Sequence, residues 1–522
     1  MSKTDLAAAV SDALAVDADE FQTQVEDDAE VIKRELAEGT FDNPQAIVGF
    51  EYEFYAVAGA KWRGHGDETL PALTRVPRRL LEFIGFEKEL GLHNAEMSTS
   101  PQPFNAHGLA AQEAEVNARL SAALDPIQAE GMQLVSDGMW TIPPAGESAH
   151  EYLTDSVTID GYSIATNMSA SARYHAMANS RTPAGMVLDA PHVHLEADTV
   201  MPESLITSIQ PHFQVPHATD LPNYFRYALR IAGPLLALGV NAPFFPPDLY
   251  DEDATADDIL ADGWHEHRVD VFESVLNDDG VHEKVRFPRD LETVEEAVDR
   301  IAADETMVPM PTEVQGRFDD SFAAFRLKHG TYWRWVRPVF GGGSRSSANA
   351  RIEFRPIPAQ PTVRDSIAFQ AAFAGLLSSL RQHEHPVWHQ EWETARENFY
   401  AAVRDGIDAD MAWVTKNGDE TTDRDELYED LLSYARDGLQ SAGLSEEETA
   451  TYLWPLRQRA RHGVTPAGWK RDRVRDHLDD GDPFEDAVYE MQREYVERQK
   501  ETLIGGSFAD WLGRGGTELR RD

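Results

Sequence analysis

The sequence predicts an α+β protein: a mostly antiparallel sheet with helices on one face, followed by a helical C-terminal region. Three observations carry this. Short stretches of apolar–polar alternation recur between Ala46 and Arg355. Between them lie longer segments with apolar residues at helical spacing. After about His385 the alternation fades and only the helical spacing remains.

Residues 1 to about 40 read as acidic helices, with Leu6, Val10 and Leu14 one turn apart. Asn43-Pro44 punctuates the chain, and the period changes to two from Ala46 to Val57. Further strands are expected at 93–99, 132–140, 189–197, 332–337 and 350–355. Helices are expected at 105–130, 202–213, 221–238, 291–302 and 364–380. The segments 141–183 and 246–311, the latter rich in Asp, Glu and Pro, read as irregular or inserted. Helices are again expected at 388–403, 423–439, 446–461 and 483–501. This divides the chain into an acidic helical extension (1–42), an α+β domain (43–385) with insertions near 141–183 and 246–311, and a helical region (386–522).

The composition excludes several classes. The 522 residues, 42% hydrophobic and 26% charged, describe a chain that buries a core. With 91 Asp+Glu against 47 Lys+Arg the net charge is −44, which leaves no general affinity for nucleic acid or an anionic membrane. Only 9 of the basic residues are Lys. Excess carboxylate with little Lys resembles proteins of extreme halophiles, in which dense carboxylates hold water and salt screens their repulsion. No Cys is present, so disulfides, thiolate metal sites and Cys nucleophiles are excluded. The N-terminus lacks the form of a signal peptide, and the most apolar stretch, 231–245, is short and contains Pro234 and Pro243. No membrane span is expected, and the expected location is the cytoplasm.

Four strand segments carry ionisable residues on one face. In a strand, alternate side chains share a face. In Gly49-Phe50-Glu51-Tyr52-Glu53-Phe54 the two carboxylates oppose three aromatic rings; they need cations, or solvent as in any amphipathic strand. In His192-Val193-His194-Leu195-Glu196 the imidazoles and carboxylate suit a divalent metal or a proton donor, or are surface residues. In Arg351-Ile352-Glu353-Phe354-Arg355 two guanidiniums flank a carboxylate, as an ion-pair ladder or a holder of anions. Glu96 shares a face with Asn94 and Ser98, and Arg334 and Arg337 add cations upstream of a Gly341-Gly342-Gly343-Ser344 loop that lacks a P-loop Lys. His383, His385 and His389 read as a solvated helix start, and no role falls to His265-Glu266-His267. If the strands form one sheet, its open face is a floor of Glu, His and Arg, equipment for ATP-dependent chemistry without a Walker motif.

At these residues the chain resembles the glutamate–cysteine ligase type 2 family. The order is G-x-E-x-E at 49–53, a Glu-centred strand at Glu96, H-x-H at 192–194, R-P at 337–338 and R-x-E-x-R at 351–355. The likeness runs from Val48 to Leu380 and continues through Arg461-His462-Gly463-Val464-Thr465-Pro466-Ala467-Gly468-Trp469. It implies a glutamine synthetase-like catalytic sheet. It implies Glu51, Glu53, His194 and Glu353 as metal ligands, with His192 beside them as a substrate contact and Glu96 as a further acidic ligand or substrate contact. Arg337, Arg351 and Arg355 would hold nucleotide phosphates or a substrate carboxylate. The implied reaction uses ATP with Mg2+ (or Mn2+) to join glutamate to an amine such as cysteine through an acyl phosphate, in a homo-oligomer. The alternatives are another amine or acid, a non-catalytic relative that binds a nucleotide or amino acid, and a metal-dependent hydrolase. Glu196 stands where the family usually has Gly, the segments 141–183 and 246–311 look long for it, and the N-terminal helices are additional.

Overall fold

The computed structural model describes residues 2–61, 69–180, 186–277, 283–312 and 314–512. Its strands are β1 (Ile47–Lys61), β2 (Thr69–Leu73), β3 (Glu87–Lys88), β4 (Asn94–Ser98), β5 (Gln102–Pro103), β6 (Met132–Val135), β7 (Ser156–Ile159), β8 (Tyr162–Ala165), β9 (Met186–Ala190), β10 (Val193–Ala197), β11 (Ile209–Gln214), β12 (Val336–Gly341), β13 (Asn349–Phe354), β14 (Trp413–Val414) and β15 (Glu420–Thr421). The main sheet is antiparallel, in the order β12-β13-β11-β1-β4-β3, with β2, β5 and β6 also paired to β1.

The long strand β1 organises it. Phe50, Tyr52 and Phe54 are buried together on one face. The helices Ala106–Ala129 and Val363–Gln382 cover that face, where Phe354 stacks on Phe373 with ring centroids 4.5 Å apart. The register sets the opposite face: Glu53 pairs with Glu96, Glu51 with Gln210, and Glu353 with both His212 and Arg337.

The C-terminal helices share this core. A buried Lys470–Asp137 ion pair ties the helix Pro466–Asp480 to the chain just after β6. Gln492 donates to Tyr55 Oη and Asp137 Oδ2, each at 3.0 Å. A buried Arg459–Asp365 pair at 2.8 Å joins two further helices. Among the described residues, no helix is long and apolar enough to cross a membrane.

Several expectations change. Residues 202–213 are no helix: a 3-10 turn at Met201–Leu205 is followed by β11. Pro211 has no N–H for a helix, whereas Gln210, His212 and Gln214 alternate with Ile209, Pro211 and Phe213. The strand expected at 189–197 is a hairpin, β9 and β10, with His192 in the turn at φ 62°. Both segments expected to be irregular contain helices, among them Ala172–Ser180, Arg268–Leu276 and Val294–Ala302; residues 181–185, at the end of the first segment, lie outside the described residues. Helix Pro466–Asp480 was not expected from the spacing. His385 is not solvated; it is fully buried, with Nε2 2.9 Å from Asp430 Oδ2.

Candidate active site

Strand alternation and register bring Glu51, Glu53, Glu96, Arg337, Arg351, Glu353 and Arg355 onto one face of the sheet. A hydrogen-bonded chain runs across it. Glu353 Oε1 accepts from Arg337 Nε at 2.8 Å and from Arg355 Nη1 at 2.6 Å. Arg355 Nη1 also donates to Gln210 Oε1 at 2.5 Å, and Gln210 Nε2 donates to Glu53 Oε1 at 2.9 Å. Glu53 Oε2 accepts the Ser208 backbone N–H at 2.6 Å. At the other end Arg351 Nε donates to His212 Nδ1 at 3.2 Å.

His212 is the imidazole that the sheet supplies, from a segment whose spacing predicts a helix. Its Nε2 is buried without a hydrogen bond among the described residues, and lies 3.3 Å from Glu51 Oε1. Glu51, His212 and Glu353 each offer a ligand atom, all within 4.8 Å of one another. Two carboxylates and one imidazole at this separation fit a divalent cation. His192 and His194 do not join them. They sit on the separate β9–β10 hairpin, where His194 is 55% exposed beside Asp189 and His192 Nε2 lies 3.0 Å from Asp262 Oδ2. Glu196 is exposed on the same hairpin. His212-Phe213-Gln214 stands on β11 of the main sheet instead, and Glu196 is not among the residues that line the cleft.

A cleft of about 340 Å³ opens over this face. Part of its lining comes from the two segments expected to be insertions, Arg173 and Tyr174 from one and Arg268 and Phe272 from the other, and a further wall from Gly330, Trp333 and Trp335. Arg173 makes no hydrogen bond or ion pair among the described residues, and burial lowers its pKa. A Cβ on Gly330 would stand 2.7 Å from Arg173 Nη1 and would displace the guanidinium from this position. Arg268 Nη2 donates to the Arg355 carbonyl at 3.2 Å, and its Nε lies 3.4 Å from fully buried Glu266, which gives that segment a place behind the cleft.

The electrostatics divide the floor. Burial pushes Glu51 up, but the neighbouring His212 outweighs it and leaves Glu51 below the usual range. Burial opposes Arg337 and Arg355 at Glu353 in the same way, and the arginines hold it well below. At the other end burial, then Glu89, pushes Glu53 up to about 7 and Glu203 up to about 8. Burial and the neighbours Glu51 and Glu89 raise Glu96 well above its ordinary value. One side is a set of ionised carboxylates braced by arginine; the other is a carboxylate cluster short of positive charge.

A sequence model of glutamate-cysteine ligase family 2 matches residues 47–502. No curated protein matches the chain. Among solved structures, the fold is similar to a glutamate–cysteine ligase from Francisella tularensis in complex with AMP. That likeness has 12% identity over 90% of this chain and 92% of that one, with a TM-score of 0.49. It is also similar to a bifunctional glutathione synthetase from Pasteurella multocida, with 13% identity over 91% of this chain and 55% of that one and a TM-score of 0.48. Both likenesses are distant, and the assignment rests on the family match across most of the chain. The chain belongs to glutamate–cysteine ligase family 2, ATP-dependent ligases that form a C–N bond between a carboxylate and an amine.

Proposed function

We propose that the chain is a glutamate–cysteine ligase forming γ-glutamylcysteine from glutamate, cysteine and ATP, with Mg2+ as the metal. The observation that supports this best is the Glu51–His212–Glu353 group, braced by Arg337 and Arg355, with Glu51 and both arginines lining the cleft. In the first step the γ-phosphoryl of ATP passes to the γ-carboxylate of glutamate: its bond to ADP breaks and an acyl phosphate forms. In the second, the amine nitrogen bonds to the acyl carbon, loses a proton, and phosphate leaves.

Glu51, His212 and Glu353 would hold a divalent cation, which neutralises phosphate charge when bound. Arg337, Arg351 and Arg355 are pre-oriented by Glu353 and His212 to meet phosphoryl oxygens. Glu53 and Glu96, facing each other across β1 and β4, suit a second positive group. Arg173, half-buried and unengaged among the described residues, suits a substrate carboxylate. The surplus of carboxylates at Glu87, Glu89 and Glu203 favours, as a second reading, an amine other than cysteine that carries less negative charge.

Phosphate release in molar salt with ATP, Mg2+ and glutamate, adding candidate amines in turn, tests both readings. Release that requires glutamate and cysteine supports the first. Release with another amine transfers the specificity, and activity that persists in chelator sinks the metal-dependent mechanism.

A further inference from the structure

The family match begins at residue 47, so the helices α1 (Lys3–Leu14) and α2 (Ala18–Ala37) lie outside it. Their contacts point to a task. On one side, α2 grips the helix Ala323–His329 at both ends. Asp28 Oδ2 accepts the backbone N–H groups of Ala324 at 2.8 Å and Phe325 at 3.1 Å, which the first turn of that helix leaves without partners. At the far end, Lys328 Nζ donates to Gln22 Oε1 at 2.5 Å and to the Ala302 carbonyl at 2.8 Å. Lys33 pairs with Asp299 at 2.5 Å, and Arg345, just beyond the glycine loop, donates to Glu35 at 2.9 Å and Glu38 at 2.5 Å. The chain leaving the gripped helix carries Gly330, Trp333, Trp335 and Arg337, all of which line the cleft.

On the other side, α1 buries Leu6, Ala7 and Val10 and packs on the helix Ala172–Ser180. Ser11 Oγ accepts from Tyr162 Oη at 3.2 Å. That helix carries Arg173 and Tyr174, a second wall of the cleft. The two walls touch where Arg173 meets Gly330. The extension therefore reaches from one wall to the other, with α2 on the first and α1 on the second.

We propose that the N-terminal extension is a clasp that fixes the distance between the two walls of the cleft, and that Asp28 is a positioning residue within it. The inference rests on the reading of the cleft as the substrate site. Asp28 touches no substrate; it acts through the helix Ala323–His329 and the residues that follow it.

The test uses the full chain in molar salt, with Asp28→Ala, Asp28→Asn and Val10→Ala. Hydrogen exchange without any ligand is followed at 323–337 and 172–180, beside steady-state kinetics. Asp28→Ala is expected to speed exchange at 323–337 about tenfold and to raise exchange at 172–180, which Asp28 does not touch. Val10→Ala should do the reverse. KM for the substrate carboxylate should rise about tenfold in both, with a smaller change in kcat. Asp28→Asn, whose amide oxygen can still accept both N–H groups, should keep exchange and KM close to wild type. Exchange changes confined to the substituted side, or looser walls with wild-type KM, would overturn the clasp. If wild-type protein turns over no glutamate, the substrate reading fails, while the exchange measurement still decides whether the walls are coupled.

Discussion

At the scale of the residue, the site separates two histidine candidates that the sequence presents alike. His212→Gln is expected to lower metal-dependent phosphate release about 100-fold or more, because an imidazole is lost from a convergent charged group. His194→Gln, on an exposed hairpin position, should leave it unchanged; the reverse pattern would restore the sequence-based ligand set. Glu273 provides a pH prediction away from the proposed ligands. Its Oε1 accepts from Trp335 Nε1 at 2.7 Å and from Tyr400 Oη at 2.8 Å, and burial raises its pKa to about 7. A raised acid is bound to its proton more tightly in the folded state than in the unfolded one. Stability therefore falls as pH rises from about 4.3 towards 7, and the loss is complete above that. Glu273→Gln keeps an oxygen for both donors and removes the charge. Denaturant unfolding at pH 5 and pH 8 should show a smaller drop in the variant, by ~1–2 kcal/mol for a half-buried group. The carboxylates at Glu51, Glu53, Glu96 and Glu353 were legible because each alternates with apolar neighbours. His212 was hidden because Ile206, Ile209 and Phe213 also fit a helical spacing; Pro211, without an N–H, is the residue that decides between the two.

At the scale of the element, the central strand and the long helices follow their periodicity, and the walls of the cleft do not. Arg173, Arg268 and Phe272 come from segments dense in polar residues and Pro, whose burial arises from distant parts of the chain rather than from a repeating pattern. The contact between the helices Val363–Gln382 and Arg424–Ser441 was equally silent in the sequence. They cross at Gly375 and Gly438, where a Cβ on Gly438 would stand 1.9 Å from the Gly375 carbonyl oxygen. Neither backbone can yield without moving a whole helix. Gly438→Ala should therefore destabilise the protein by about 1–3 kcal/mol, against the small gain that alanine brings to an open helix. A thermal melt of the variant at or above the wild-type midpoint would show that the helices are free to separate.

At the scale of the whole molecule, charge and topology set two different sensitivities. The excess of 91 acidic over 47 basic residues predicts loss of structure as salt is lowered from molar to millimolar, followed by far-ultraviolet circular dichroism. A spectrum unchanged across that range would remove the basis for reading the composition as salt-adapted. The Asp137–Lys470 and Arg459–Asp365 pairs, fully enclosed, should be insensitive to the same titration. Topology bears on how the protein is made. Strand β1 is the first of the sheet to be synthesised, and Val48 finds Phe213 only when β11 has followed. At ~5–20 residues per second, the stretch from Lys61 to Ile209 takes roughly 7–30 s to emerge. Through that interval one edge of β1, with Phe50, Tyr52 and Phe54 alongside, waits on the ribosome for its partner, and Glu51 meets neither His212 nor Glu353. The nascent chain thus carries an unpaired, aromatic-rich strand long before it carries a site, and for the length of this wait that edge is open to pairing with another chain.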